Sequence, residues 1–320
     1  MAYGLYTVFG GSGFLGRYVV QRLAAEGHRV RVAVRNPALA GFLKPLGHIG
    51  QIQLVQANVR DPESVARAVT GATGVINLVG ILSEGGAQKF DAVHVEGAAC
   101  IARAARDAGV RSLVHVSAIG ADAQSRAGYA RSKGLGESEV RAAFPGATIL
   151  RPSVLFGPED EFLNRFAGLI KMLPMVPVIC GNTKLQPVYV GDVAEAAAVS
   201  VTDADRFGGQ TFELAGPRVM TMREIMTYVR DEIMYKKDLV TVPDALAKLL
   251  AKLLGLLPNA PLTADQLLML QRDNVPASGS QGLESFGVTP MPLEAVAPAY
   301  LVRYRPKGRF SQPDAPGVSN

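Results

Sequence analysis

A run of glycines set between an apolar stretch and a helical pattern constrains this chain more than any other feature. Leu5 to Phe9 reads as a strand, Phe14 to Ala25 as a helix, and Gly10-Gly11-Ser12-Gly13 joins them. Gly10, Gly13 and Gly16 are spaced GxxGxxG, and Gly11, Gly13 and Gly16 also satisfy GxGxxG. Glycine permits the tight turn and lets backbone approach a pyrophosphate, while the N-terminus of the next helix supplies N–H donors and a favourable dipole. The strand–turn–helix setting makes the pattern specific. Gly10, Gly11, Ser12, Gly13, Phe14, Leu15, Gly16 and Arg17 are therefore the expected phosphate-binding residues of a dinucleotide site.

The second strand, Arg29 to Val34, runs into Arg35, 19 residues after Gly16. An acidic residue in that place would bind the ribose hydroxyls of NAD; here it is arginine, and Arg17 directly follows the last glycine. Two guanidinium groups suit a 2′-phosphate, so the expected cofactor is NADPH (NADP+). Ligands of such sheets lie outside the carboxyl ends of the strands. That rule puts Asn58 and Val59 near the adenine, and Val79 and Gly80 near the pyrophosphate and ribose.

The first half continues to alternate. Ile52 to Gln56, Val75 to Val79, Leu113 to Val116 and Thr148 to Leu150 read as strands. Asp61 to Val69, a long segment ending near Asp107, and Ala127 to Ala143 read as helices. Alternation means βαβ units, and strands such as VINLV without a polar face mean a sheet covered on both sides. The expected fold class is α/β, a doubly wound parallel sheet with a smaller C-terminal lobe. Its boundaries are expected at 1–151 for the nucleotide domain and 152–310 for the smaller lobe, with parts of 180–215 returning to the sheet. The final stretch, 311–320, reads as a disordered tail.

Of 320 residues, 48% are hydrophobic and 19% charged, the balance of a globular protein with a sizeable core. The net charge of +5 suits a nucleotide phosphate, an anionic surface or an acidic partner. No nucleic-acid motif is present, and none is expected as a partner. Cys100 and Cys180 build no disulfide framework, and His28, His48, His94 and His115 show no ligand spacing, so no metal is expected. No apolar run approaches the roughly 20 residues of a membrane span. Strand-like sequence from Leu5 leaves no room for a leader. The chain is therefore expected to be cytosolic, or held on a membrane only peripherally.

Tyr129-Ala-Arg-Ser-Lys133 reads YxxxK near the start of a helix, which puts both side chains on one face. A nearby ammonium lowers a phenol's pKa, so such a tyrosine can exchange a proton during hydride transfer. The lysine can also hold a nicotinamide ribose. Ser117, 12 residues before Tyr129, permits a Ser–Tyr pair. If the chain is an enzyme, Tyr129, Lys133 and Ser117 are its expected catalytic residues. Otherwise Tyr129 and Lys133 are cofactor clamps.

Together GGSGFLG, YARSK, the RPSVLFGPED segment and YVGDVAEA resemble the extended short-chain dehydrogenase/reductase superfamily over most of the chain. GGSGFLGRYVV, FPGATILRPSVLFGPEDEFLNRFAGL and QPVYVGDVAEA are more similar still to one atypical branch. That branch is the NADPH-binding accessory subunit of respiratory complex I and its α-proteobacterial relatives. The resemblance implies a Rossmann-like fold, tightly held NADPH with Pro152 among the cofactor-binding residues, and a place in the peripheral arm near the membrane. It implies no reaction of its own. Departures from the enzymatic pattern agree: Ser117 is followed by Ala118 and Ile119 where hydroxyl residues are usual, and His94 replaces the usual asparagine of NVxGT. Acid–base help is worth about 10²–10⁴-fold in rate, so a depleted set argues for weak or absent turnover.

In the second half Asp244 to Leu257 reads as an amphipathic helix. Leu246, Leu249, Leu250, Leu253, Leu254 and Leu257 form one stripe, with Lys248 and Lys252 opposite. It either packs on the protein's own core or lies on a membrane or partner. Arg303 to Arg309 is basic without acids, a solvated face or a contact for anionic lipid or an acidic neighbour. The expected function is thus an accessory, structural subunit of proton-pumping NADH:ubiquinone oxidoreductase whose partners are the other subunits. The alternatives are a free NADPH-dependent oxidoreductase or epimerase/dehydratase, and a transient assembly factor.

Overall fold

The structure, a computed structural model, describes residues 4–254 and 263–310. The chain folds as two units, each assembled from separate stretches of sequence. The first comprises Met1–Ser153, Val190–Ala215 and Pro276–Pro290; the second comprises Val154–Tyr189, Gly216–Val275 and Met291–Asn320. Residues 276–290, placed in the smaller lobe from sequence, thus group with the first unit.

The first unit is built on seven parallel strands: β1 (Leu5–Phe9), β2 (Arg29–Val34), β3 (Ile52–Gln56), β4 (Gly74–Asn77), β5 (Ser112–Val116), β6 (Thr148–Pro152) and β7 (Thr211–Leu214). Their order is β7-β6-β5-β4-β1-β2-β3, so the sheet reverses direction between β1 and β4. Such a reversal opens a crevice at the carboxyl ends of the two strands. Every residue of β5 is buried, as are Tyr6 to Phe9 of β1, in keeping with a sheet covered on both faces.

Helix α1 (Phe14–Ala25) packs with α5 (Val190–Thr202), and α2 (Pro62–Val69), α3 (Gly97–Asp107) and α4 (Gly128–Ala143) pack in succession. Asp61 caps α2, its carboxylate accepting from the N–H groups of Glu63 and Ser64 at 3.2 and 3.4 Å, an arrangement worth about 1 kcal/mol. At the other end of α2 the Arg31 guanidinium donates to the carbonyls of Ala68 and Thr70, both at 2.8 Å. Those carbonyls have no partner within a helix, so a strand cation completes them. An apolar cluster of Phe9, Val65, Val75, Ile101, Leu113, Val140 and Ile149 joins the sheet to α2, α3 and α4.

β4 stops two residues before the sequence pattern does. The Asn77 side chain explains this: its Oδ1 accepts from Val79 N–H at 3.0 Å, and that local turn takes the backbone out of the ladder.

The second unit has its own core, including Phe156, Leu163, Ile170, Val178, Ile225, Val229 and Leu301. The sequence leaves open which way the leucine stripe of its helix α6 (Asp244–Leu254) faces. Ala247 and Ala251 pack in a small cluster with Val242 and Leu267, whereas Leu246 and Leu249 are about half exposed. Positions 255–257 of the expected helix, and the tail 311–320, lie outside the described residues. The basic run at Arg303 is partly engaged within this unit. Arg303 donates to the Pro158 carbonyl at 3.2 Å and to Asn164 Oδ1 at 2.7 Å, and Arg305 pairs with Glu232.

Candidate functional site

The glycine turn has the shape a pyrophosphate requires, and each glycine has a separate reason to be one. Gly10 has φ +77°, a left-handed conformation that side chains disfavour. A Cβ there would stand 3.2 Å from the backbone of Leu78 and Val79, which brings the exits of β1 and β4 together. A Cβ on Gly16 would stand 2.4 Å from the Gly10 carbonyl oxygen, so α1 can approach the turn only without one. The turn is closed by Gly13 N–H donating to the Gly10 carbonyl at 3.0 Å. Gly13 itself, the N-cap of α1, is exposed, provides no side-chain cap, and no acid occupies the first turn of the helix. Leading N–H groups without a side-chain cap and a positive dipole end are what an anion binds. Ser12 and Phe14 are partly exposed at the turn, and Leu15 is buried behind it.

Arg17, in the first turns of α1, and Arg35, just after β2, lie on the β2 side of the glycine turn. The Arg17 guanidinium sits 5.2 Å from the centroid of the Phe42 ring, an aromatic support that no sequence pattern announced. Arg35 is exposed where β2 ends. Asn58 and Val59 follow β3. The Asn58 side chain accepts from Arg60 N–H at 3.1 Å, its backbone is held by Ser64, and Val59 is buried against Gly97.

Beyond the reversal, on the β4–β5 side, stand Val79, Gly80, Ser117, Tyr129 and Lys133. A Cβ on Gly80 would lie 3.4 Å from Lys133 Nζ and 3.6 Å from His94 Nε2, so the three residues converge. Lys133 is 5% exposed and its ammonium donates to the Val116 carbonyl at 3.2 Å. Burial lowers its pKa to about 8, against a smaller upward pull from Glu137. Burial also pushes the Tyr129 phenol up to about 12. The ammonium lies 6.0 Å from the Tyr129 ring centroid, and desolvation outweighs any help it gives the phenolate. Ser117 Oγ is buried without a hydrogen-bond partner among the described residues. Ile119 is buried and apolar where a hydroxyl would serve an enzyme. Pro152 is buried in β6, its carbonyl accepting from Ile119 N–H at 3.0 Å.

Three polar residues that the sequence did not place at the site lie beneath it. Asn77 Nδ2 bonds His115 Nδ1 at 3.0 Å, and the amide can only donate, so the proton of this buried imidazole belongs on Nε2. Burial, with Lys133 next in weight, depresses the pKa of both His115 and His94 to about 3, and both rings are neutral. The third, Ser132, bonds His94 Nδ1 at 2.9 Å.

The cradle formed by Gly10, Gly16 and the start of α1, with the orphaned Ser117 hydroxyl and the Lys133 ammonium, fits a dinucleotide laid across the crevice. A cavity of about 680 Å³ elsewhere in this unit is bordered by Leu5, Arg29 and Ile52. These residues begin β1, β2 and β3, the wrong ends of the strands for a nucleotide.

Comparison with known proteins agrees with this geometry. The sequence profile of a family described as NAD(P)H-binding matches residues 10–163. The mitochondrial NADH dehydrogenase (ubiquinone) 1 alpha subcomplex subunit 9 of Rattus norvegicus is 37% identical over 307 residues, 93% of this chain and 80% of that protein. The ceramide reductase of Caulobacter vibrioides is 36% identical over 193 residues, 60% of this chain and 59% of that one. Among solved structures, the triphenylmethane reductase of a Citrobacter species superposes with a TM-score of 0.72 at 20% identity, covering 92% of this chain and 99% of that one. This likeness shows a Rossmann-like α/β fold.

Proposed function

Because the chain belongs to the family of the NADH dehydrogenase (ubiquinone) 1 alpha subcomplex subunit 9, we propose that it is an accessory subunit of a proton-pumping NADH:ubiquinone oxidoreductase. In this reading it holds NADPH as a structural ligand. The carrying observation is that 37% identity extends over 93% of the chain rather than over the nucleotide domain alone.

The site supports holding more than turnover. Gly10, Gly13, Gly16 and the α1 amides would bind the pyrophosphate, and Arg17 and Arg35 the 2′-phosphate, which favours NADPH over NADH. Lys133 and Tyr129 would clamp the nicotinamide ribose, beside the backbone of Val79 and Gly80. A bound nicotinamide would supply a hydride, but proton exchange needs a phenol poised near working pH. Tyr129 is instead pushed up to about 12. Ile119 adds no hydroxyl. A ligand that binds the folded chain alone stabilises it in proportion to RT ln(1 + [L]/Kd), a structural return that requires no chemistry.

No helix among the described residues is long and apolar enough to cross a membrane. Peripheral contact at the cytoplasmic face would fall to the half-exposed Leu246 and Leu249 of α6, with the Arg303–Arg309 stretch beside anionic headgroups. The second reading, a free NADPH-dependent reductase, is favoured by the 36% identity to a ceramide reductase, which reaches across 60% of the chain.

A native pull-down of a tagged copy in mild detergent separates the two. Co-purification of the whole respiratory complex with near-stoichiometric NADPH is the expected result. A partner-free protein that exchanges NADP(H) freely would replace this reading with the enzymatic one.

A further inference from the structure

His94 is 2% exposed, and every polar atom of its ring is in use. Nε2 accepts from the backbone N–H of Ile81 at 3.0 Å. An amide can only donate, so Nε2 carries the lone pair and Nδ1 the proton. Nδ1–H then donates to Ser132 Oγ at 2.9 Å, and the Ser132 hydroxyl donates to the Tyr129 carbonyl at 2.8 Å. The backbone is fixed as well: a Cβ on Gly136 would stand 2.1 Å from the His94 carbonyl oxygen, so only glycine lets α4 come this close. Phe90 stacks on the imidazole with 5.5 Å between centroids, and Tyr129 meets it edge-on at 5.5 Å.

One imidazole therefore joins the exit of β4, at Gly80–Ile81, to the first turns of the helix bearing Tyr129 and Lys133. The sheet reverses between β1 and β4, with the glycine turn at the reversal and Arg35 toward β2. A dinucleotide whose adenosine half lies over β2 and β3 must lay its other half over β4 and β5. We propose that His94, acting through Ile81 and Ser132, is a positioning residue for the nicotinamide half of the nucleotide. An asparagine here has a side chain one bond too short to span both partners. The histidine thus gives this end of the site a fixed brace.

The inference rests on the nucleotide-binding reading, and its test keeps the two apart. Affinities of the full chain for NADPH and for 2′,5′-ADP, which lacks the nicotinamide half, are measured calorimetrically. The proteins are wild type, His94→Phe, His94→Gln and Ser132→Ala. His94→Phe fills the space without either hydrogen bond and is expected to weaken NADPH about tenfold, the equivalent of one to two hydrogen bonds, while leaving 2′,5′-ADP within about twofold. His94→Gln restores an acceptor for Ile81 and should recover NADPH binding to within about threefold. Ser132→Ala, which removes one oxygen and leaves the packing intact, should show the same selective loss at about threefold. Equal weakening of both ligands, or no weakening of NADPH in the phenylalanine and alanine variants, overturns the positioning role. Failure of the wild type to bind either ligand overturns the nucleotide reading, and this inference with it.

Discussion

At the β1–α1 turn the working parts are main-chain atoms: the Gly10 carbonyl that closes the turn, and the leading N–H groups of α1, given no side-chain cap. At the β5–α4 end they are side chains, and several are already bonded to their surroundings. Lys133 holds the Val116 carbonyl, and His94 holds Ile81 and Ser132. The first region is prepared for a ligand and tolerates no added atoms. The second is prepared chiefly for rigidity, with Ser117 left over. Binding and catalysis thus make separable demands on one fold, and a chain can keep the glycines of the first while its acid–base set decays.

Substitution should break this contrast most forcefully at Gly16. A side chain there meets the Gly10 carbonyl oxygen at 2.4 Å, and that oxygen is backbone that cannot swing aside. Gly16→Val is expected to lose at least ~100-fold in NADPH affinity by displacing the turn, and to destabilise the apo protein by about 1–3 kcal/mol. Titration together with thermal melting reads both, and wild-type affinity would remove the backbone cradle from the account. Next in size is Arg35→Asp. A charge-assisted hydrogen bond to phosphate is worth about 1.5–3 kcal/mol, so the NADPH:NADH affinity ratio should fall roughly 10- to 100-fold. An unchanged ratio in parallel titrations sinks the 2′-phosphate assignment.

At the other region the sharper test is pH. Lys133 titrates near 8 when folded, against an ordinary value of 10.5. Between those values the unfolded chain holds the extra proton, so apo stability should rise with pH across that window. NADPH binding should move the other way, weakening a fewfold above pH 8 as the ammonium facing the nucleotide is lost. Lys133→Met should flatten both profiles. A wild-type binding curve already flat from pH 7 to 10 would mean that Lys133 does not face the ligand. The smallest effect belongs to Tyr129→Phe, about threefold in affinity for one neutral hydrogen bond. A reductase activity that vanishes in this variant would move the residue from clamp to catalyst.

The glycine turn was legible in the sequence because its causes are local: glycines spaced between a strand and a helix act within a few residues. That Tyr129 and Lys133 share the first turns of one helix was legible for the same reason. Their ionisation was not, because a YxxxK spacing carries the charge of the neighbour but not the burial that outweighs it. His94 was visible only as a departure from a pattern. Its partners, Ile81 and Ser132, lie 13 and 38 residues away, and nothing in a linear chain pairs them. Phe42 under Arg17 was hidden likewise. On α6 the spacing left open whether the leucine stripe is buried or turned outward. Ala247 and Ala251 pack inward, while Leu246 and Leu249 are about half exposed. Periodicity reports that a helix has two faces, while burial depends on what is near each one.

The seventh strand sets a schedule for the ribosome. β6 ends at Pro152, but its sheet neighbour β7 is not made until Thr211–Leu214. At the usual ~5–20 residues per second, the open edge of β6 waits roughly 3–12 seconds for its partner. Even then the new strand is incomplete: Glu213 N–H donates to the Gln281 carbonyl, and the Glu213 carboxylate accepts from Ala277 N–H, both from a segment made later still. The nascent nucleotide domain therefore leaves the tunnel with an unpaired apolar edge, the kind of surface on which strands from other chains can add. A nonsense mutation between residues 152 and 211 would make that edge permanent. Aggregation, rather than a shortened but working nucleotide-binding protein, is what such an allele should yield.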